Sequence, residues 1–482
     1  MTTSKNFQEL KLGFEQEILP TAFRDAATLA QSLRISYLWI DTLCIIQDSD
    51  VDWAEQAAKM GEVFEGATIT IAASSSVEPY QTLFQDRLPQ YQEFELNSEA
   101  TKQPNVMFRA RRKLDRGIHA KTGRTDSDPL DKRAWALQEK MLSSRLIAFT
   151  GAELQWTCRT LRACECHQNP YPSQPLFTAL AETSGEEMIM KYSRTWSQVI
   201  EEYSTRKLTI QEDMLPALSG LARAFGNVTG FKYVGGLWKE SLLYDLVWQR
   251  DIEPLVIHRT WLAPSFSWAS APGAVNFRFA RHSYPGRRIS HITLIESYYK
   301  TSGTDTYSRA MDGRIVVRGH TVVAGLRKLS STNPEAYALC IEKSVYVPST
   351  DQVAVCEFSI DTCIPDYNAK KTTTVSETKL CDTTFEDTSQ VVEEPVILLS
   401  LYSIHDQRYL YQNFLILAQS QQDHKVYKRI GVGSGKLYRG QDCHNKVPSE
   451  ARYVRPFEWL SINLGERCHA IKNVAEQTVC IQ

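Results

Sequence analysis

The sequence predicts an α/β N-terminal domain at residues 19–180, a helical region at 181–260 and a β-rich C-terminal region at 261–482. Three observations predict this order. Helical stripes alternate with short apolar runs early in the chain, apolar residues then recur at helical spacing, and β-rich segments between polar loops follow. The chain has 482 residues, enough for two to four domain-sized units.

Pro20 is placed to open a helix, and Ala26, Leu29, Ala30 and Leu33 then fall on one face. Tyr37-Leu38-Trp39-Ile40 is a short continuous apolar run, as in a strand covered on both sides. Trp53, Ala57, Met60 and Phe64 give a second helical stripe, and "ATITIAAS" (Ala67–Ser74) a second strand. Together they predict a right-handed βαβ unit with Asp41 at the carboxyl end of its first strand, the edge where open α/β sheets bind ligands. Trp39 and Trp135 are expected to be buried. Asp41 as the cap of the following turn, with Cys44 and Ile45 merely packed, is the competing reading.

Residues 77–128 are polar, and their basic cluster Arg109, Arg111, Arg112 and Lys113 reads as solvated surface. Asp131 is expected to cap a helix running through Met141. "RLIAF" and "ELQWTC" are expected strands. Trp196, Val199, Ile200 and Tyr203 share one helical face, Leu215, Leu218, Leu221 and Ala222 another, and "LWKESLLYDLVWQ" supplies a third helix. Beyond Ala263, "GRIVVRGHTVV" and "PVILLSLYSI" read as strands, and Lys370–Gln390 as a mobile loop. No heptads and no internal repeat are present.

Composition narrows the function classes. A net charge of -2 offers no global field for nucleic acid or an anionic membrane. No apolar run approaches the ~20 residues of a membrane span, and the N-terminus has no signal-peptide h-region. The 11 cysteines lack framework spacing, which favours a reducing compartment and hence a cytoplasmic protein. Aromatic residues make up 10% of the chain, enough to line a large core or pocket.

Few motifs carry chemistry. Cys158, Cys164, Cys166 and His167 are possible zinc ligands, but the paired second knuckle of a structural zinc site is missing, so no metal is predicted. "GVGSGK" (Gly431–Lys436) fails the phosphate-loop spacing, with Ile430 and Leu437 at the decisive positions, and reads as a glycine-rich hairpin. Cys44 as a nucleophile lacks a nearby base, since no His lies in residues 1–118.

"LPTAFRDAATLAQSLRISYLWIDTLCIIQDSDVDWAEQAAKMGEVFEGATITIAAS", "RAWALQEKMLSSRLIAFTGAELQWTC" and "ACE" (Ala163–Glu165) resemble the fungal heterokaryon-incompatibility (HET) domain family. "YSTRKLTIQEDMLPALSGLA", "YVGGLW" and "APSFSWAS" resemble the region that commonly follows that domain. The resemblance implies a fold similar to the Toll/interleukin-receptor (TIR) domain and a role in non-self recognition and regulated cell death. Carried over by position, the signature residues include Arg24, Asp25, Trp39, Asp41, Cys44, Gln47, Asp48, Trp53, Met60, Arg133, Trp135, Gln138 and Glu139. No stretch similar to the family's usual first strand, "LSYVWG", is read upstream of Pro20; either the sequence is truncated there or this member has lost the strand, and the crevice at the sheet edge is then expected to be incomplete. Ala134 stands for the usual Gly, and Thr157 for a common acidic residue.

Within this frame Asp41 and Glu139 are the candidate catalytic acids, and Arg24, Cys44, Gln47, Arg133, Trp135 and Gln138 the candidate binding positions. Asp41, Gln47 and Glu139 are expected to approach one another or to share Arg24 or Arg133. A carboxylate there serves as a general base if desolvation raises its pKa. The competing reading is a salt-bridged brace among Arg24, Arg133, Asp41 and Glu139, slightly favoured by the missing strand. Three functions follow: a recognition or death-signalling protein with nucleotide-directed activity, a cofactor-independent cyclase of secondary metabolism with an aromatic-lined pocket, or a non-catalytic interaction module. The partners expected are a small-molecule substrate or other HET-pathway proteins. No cofactor is required by any of the three.

Overall fold

The computed structural model describes residues 1–85, 92–96, 106–110, 128–151, 153–165, 170–173, 177, 185–251, 261–270, 273–280, 287–328, 337–341, 344–346, 356–360, 393–405, 409–420, 422–438 and 474–482. The chain forms two compact units. One comprises Met1–Ala179 with Arg206–Val228, the other Leu180–Thr205 with Thr229–Gln482. The first is α/β, and the second carries a large, mainly antiparallel sheet, so the expected change from α/β to β-rich texture is present.

In the first unit, helix α1 spans Phe7–Lys11, α2 Thr21–Ser32, α3 Asp41–Cys44, α4 Asp50–Gly66 and α5 Trp135–Leu142. Pro20 precedes α2 as predicted; of the expected stripe Ala26 and Ala30 are buried, whereas Leu29 is half-buried and Leu33 exposed, and Ala22 completes the buried face. Ser49 caps α4 by accepting from the Asp52 N–H. The strands are β1 (Thr70–Ala72), β2 (Gln92–Leu96), β3 (Val106–Ala110), β4 (Arg145–Phe149), β5 (Leu154–Cys158), β6 (Leu161–Cys164) and β7 (Tyr171–Pro172). β2 and β3 pair with each other. The main sheet runs β1-β4-β5-β6-β7, with β1 parallel to β4 and the remaining pairs antiparallel. The "RLIAF" and "ELQWTC" strands are therefore real.

Several expectations fail here. Tyr37–Ile40 forms no strand, and Tyr37 is 91% exposed. Ile40 has an extended backbone, but residues 36–39 make no backbone hydrogen bond among the described residues. β1 has β4 on one side and no described strand on the other, so the apolar run lacks a ladder to join. The βαβ unit of residues 37–74 is consequently absent, and the parallel pair is β1 with β4. Trp39 and Trp135 are half-buried rather than buried. Each instead makes an edge contact, Trp39 with Phe64 at 5.7 Å and Trp135 with Trp53 at 6.2 Å. Asp131 caps nothing; a 3-10 turn at Pro129–Lys132 precedes α5, and Asp131 pairs with Lys140.

Two longer helices, α6 (Gly185–Ser204) and α7 (Ser219–Thr229), fall in different units. In the first unit, Leu215, Leu218, Leu221 and Ala222 are buried, across one 3-10 turn (Pro216–Leu218) and the start of α7. A β-carbon on Gly220 would lie 2.9 Å from Gly61 Cα, Leu142 Cδ1 and Gln138 Oε1. Gly61 and Gly220 thus let α4, α5 and α7 approach closely.

In the second unit, α6 buries Trp196, Val199, Ile200 and Tyr203 as predicted. "LWKESLLYDLVWQ" is not one helix: Leu237–Trp238 pairs with Tyr233–Val234, a short helix α8 covers Leu242–Asp245, and Gln249–Arg250 is extended. Gly235 and Gly236 make the tight turn at positive φ of 58° and 91°. The ten-stranded sheet is built mainly from Ala310–Lys328, Glu393–His405, Tyr409–Gln419, Val426–Tyr438 and Ala475–Ile481. Gly431–Lys436 lies inside one of these strands and is not a hairpin turn. Lys370–Gln390 and Arg111 to Lys113 lie outside the described residues.

The second unit's core is aromatic and closely packed. Trp196 and Trp238 are fully buried, with ring centroids 5.3 Å apart. The indole N–H groups of Trp196 and Trp268 both donate to the Gly236 carbonyl, at 2.9 and 3.0 Å. Asp245, 1% exposed, accepts from Ser193 Oγ (2.7 Å), Ser241 Oγ (2.7 Å) and the Trp238 N–H (3.1 Å). Burial nevertheless pushes its carboxyl up to about 7, against the lowering effect of those three donors.

Two predictions follow from this packing. Gly220→Ala is expected to lower stability by about 1–3 kcal/mol through overpacking; an unchanged urea midpoint would show that the helices can separate without cost. Asp245 titrates higher folded than unfolded, so the stability it contributes is complete below about pH 4 and is lost as pH rises through about 7. Asp245→Asn keeps the shape, and the serine hydroxyls can reorient to the amide. The melting-temperature difference between this variant and the wild type should therefore grow in the variant's favour from pH 5 to pH 8, and a pH-independent difference would refute the assignment.

Candidate functional site

The segment around Asp41 is held by the chain's own beginning. Thr2 N–H donates to Thr42 O (2.8 Å), Gln47 N–H to Thr2 O (2.9 Å) and Thr2 Oγ1 to Leu43 O (2.6 Å). Thr2 is 3% exposed as a result. Ser4 N–H donates to Asp48 Oδ1 at 2.7 Å and lowers that carboxyl's pKa. These bonds fix α3, whose first residue is Asp41.

Asp41 does not end a strand. It begins the four-residue helix α3, and its Oδ1 accepts from the Thr42 N–H at 2.7 Å. Gln47 Nε2 donates to the Asp41 carbonyl (3.2 Å) and to the Ile45 carbonyl (3.0 Å), so Asp41 and Gln47 are neighbours. Ile45 is buried, whereas Cys44 is exposed.

Glu139 on α5 lies within electrostatic reach of Asp41. Its carboxyl is pushed up to about 7: burial is the largest cause, Arg133 opposes it, and Asp41 adds to the rise. Lys140 and Arg206 oppose it more weakly. No hydrogen bond or ion pair to the Glu139 carboxylate exists among the described residues. Its oxygens are absent from the fully enclosed unpartnered atoms, and the residue is only half-buried. The acid is desolvated yet keeps a face to solvent.

The four-residue brace is not formed: no ion pair joins Arg24 or Arg133 to Asp41 or Glu139. Arg24 instead approaches Thr21 Oγ1 at 3.4 Å, and Asp25 accepts from Thr82 Oγ1 and the Leu83 N–H. Trp135 packs against Trp53, and Gln138, fully buried, accepts the Gly220 N–H through Oε1 at 3.0 Å. Cys158 and Cys164 form no disulfide, and no group of three metal-binding side chains occurs among the described residues. The Thr160 hydroxyl and the Thr160 and Leu161 N–H groups draw the Cys158 thiol down to about 7. Cys166 and His167 lie outside the described residues.

Sequence reasoning missed the basic side of this site. Arg133 and Lys207 form a parallel bridge, with Lys207 N–H donating to Lys132 O (2.6 Å) and Ala134 N–H to Lys207 O (3.0 Å). Arg206 Nη1 reaches the Arg133 carbonyl at 3.4 Å. The signal was present as two dibasic steps, Lys132-Arg133 and Arg206-Lys207, but nothing in one sequence says that they meet.

Residues 1–139 match the heterokaryon incompatibility protein (HET) family. The match ends at Glu139 and includes Arg24, Asp41, Cys44, Gln47, Arg133, Trp135 and Gln138. No curated protein and no solved structure matches the chain. No helix among the described residues is long and apolar enough to cross a membrane.

The electrostatics of the HET segment make a signed prediction. Asp41→Asn removes a charge that raises the Glu139 pKa and should lower it, whereas Arg133→Gln should raise it. Carboxyl carbon titration by NMR reads both; shifts of the same sign in the two variants would contradict the arrangement.

Proposed function

We propose that the chain is a heterokaryon-incompatibility-type protein whose N-terminal unit carries out acid–base chemistry on a nicotinamide nucleotide, with Glu139 as the acid–base group. The HET match supports the family role. The observation that carries the finer reading is the Glu139 carboxyl, desolvated, without an ion pair, and titrating near neutrality beside exposed Arg133. A group with a pKa near the working pH is present in both its forms and can take and return a proton.

In the proposed step, ionised Glu139 accepts a proton from water as the water oxygen bonds to the ribose anomeric carbon. The glycosidic C–N bond breaks, and nicotinamide leaves with the bonding pair. Asp41 keeps Glu139 basic enough to act, and Gln47 holds the Asp41 backbone. The test is nicotinamide release from NAD+ by the purified full chain. Glu139→Gln should lower the rate by about 100-fold or more with an unchanged melting temperature. A variant as active as the wild type, or a wild type that releases no nicotinamide, would overturn this reading.

A further inference from the structure

Tyr402, Asn413 and Ser434 are directly paired across three neighbouring strands of the ten-stranded sheet, so their side chains form one row on one face. All three are buried, at 1%, 1% and 6% exposure. Tyr402 Oη, Asn413 Oδ1 and Ser434 Oγ are enclosed, and none has a hydrogen-bond partner. The Asn413 amide is oriented by its Nδ2, which donates to the Phe279 carbonyl at 3.3 Å, so its oxygen is the atom left over. Burial pushes the Tyr402 hydroxyl up to about 12; Asn413 stands close enough to oppose that rise, yet no hydrogen bond of ordinary length joins the two. On the opposite face of the same strand the polar groups are paired: Ser400 Oγ and Ser403 Oγ lie against His291 at 2.6 and 3.2 Å. Enclosed polar groups without partners cost stability that Phe or Ala in their place would not. Three such groups in adjacent register set this row apart from Gln138 and Gln249, each of which leaves a single amide atom unpartnered.

Apolar residues flank the row on the same face, Ile404 on one side and Leu415 and Val432 on the other, all fully buried. Tyr244 of α8 covers Tyr402, with ring centroids 5.7 Å apart. Arg288, paired with Ile404 from the adjoining strand, reaches both Tyr244 and Met190 of α6. Tyr244 is held over the sheet by its hydroxyl, which donates to Glu186 Oε1 at 2.7 Å. A few polar groups in an apolar surround are the composition of a small-molecule site. A local rule broken at a cost to stability is expected where function uses the broken rule. We propose that Tyr402, Asn413 and Ser434 form the floor of a closed binding site, opened when Tyr244 swings aside, for an uncharged aromatic diol. A ligand hydroxyl donates to Asn413 Oδ1, and hydroxyls either donate to or accept from Tyr402 and Ser434. The row spans two strand spacings, roughly 10 Å, which suits hydroxyls at the two ends of a two-ring molecule. Its apolar body lies on Ile404, Leu415 and Val432, and the three row side chains carry no charge to match an ionised ligand. The site belongs to the unit that does not contain Glu139 and is independent of the reaction proposed there.

The test is calorimetric titration of the full chain with para,para′-biphenol, para-phenylphenol and biphenyl, with melting temperatures recorded in parallel. The biphenol is expected to bind one site, about tenfold more tightly than para-phenylphenol, and biphenyl more weakly still, one hydrogen-bonding hydroxyl being lost at each step. Tyr402→Phe and Ser434→Ala should each weaken biphenol binding by about tenfold while keeping or raising the melting temperature, because each removes an enclosed group that has no partner. Ser403→Ala, which removes a hydroxyl already paired with His291, should lower the melting temperature and bind the biphenol as the wild type does. No saturable biphenol binding, biphenyl binding as tightly as the biphenol, or unchanged affinity in both Tyr402→Phe and Ser434→Ala would overturn the site. So would a melting temperature that falls in those two variants as it does in Ser403→Ala, since the row would then be satisfied within the closed protein. Should one of the two variants fail to fold, the other decides.

Discussion

The N-terminal unit depends on one close approach, that of Gly220 to Gly61. Residues 206–228 return to this unit after the chain has built α6 in the other. Their anchor is the packing of Gly220 onto α4 and α5, where a single β-carbon would meet three neighbours at 2.9 Å. Gln138 locks the contact by accepting the Gly220 N–H from a fully buried position. A buried amide oxygen with such a partner is stabilising, and without it would be costly. The next residue along α5 is Glu139. The structural and the chemical positions of the helix are thus adjacent, and what fixes one orients the other.

The same return of the chain sets the charge around Glu139. The Arg133–Lys207 bridge forms because Arg206–Lys207 is brought back to the strand-like step before α5. Without residues 206–207, Glu139 would lose Arg206 as a counter-charge, and Asp41 and burial would raise its pKa further. Its value near neutrality is a balance of desolvation and an acidic neighbour against three cations. A charge balance of this kind depends on segments distant in sequence, and Asp41, Glu139 and Arg206 span much of the unit.

How much was legible follows from which forces are local. The Trp196–Tyr203 face and the "RLIAF" strand were readable because hydrophobic period is a local property, whereas the α2 stripe was read only in part, Leu33 being exposed. Tyr37–Ile40 misled because apolar β-formers make a strand only where a partner strand offers its edge, and β1 has none on that side among the described residues. Asp131 looked like a cap by residue type, but its carboxylate found Lys140 on α5, a tertiary partner that outcompetes the local role. At the candidate site, Asp41, Gln47 and Glu139 were found by position. Lys207 and Arg206 were not, since their importance lies in a bridge between residues 74 positions apart.

Two acids in this chain titrate near 7, and contrasting them shows what a raised pKa means. Asp245 is fully enclosed, and each of its oxygens has a donor: Ser193 on one, Ser241 and the Trp238 N–H on the other. Its desolvation holds α6, the Leu237–Trp238 strand and α8 to a common point, which is a structural use of a carboxyl. Glu139 carries a similar shift with no donor on its carboxylate and with part of its surface open. A structural acid stabilises its neighbours by satisfying their donors. An acid that satisfies none contributes nothing comparable to stability, so its desolvation is a cost that the N-terminal unit bears. That cost is what distinguishes the Glu139 region from the buried carboxyl of the second unit.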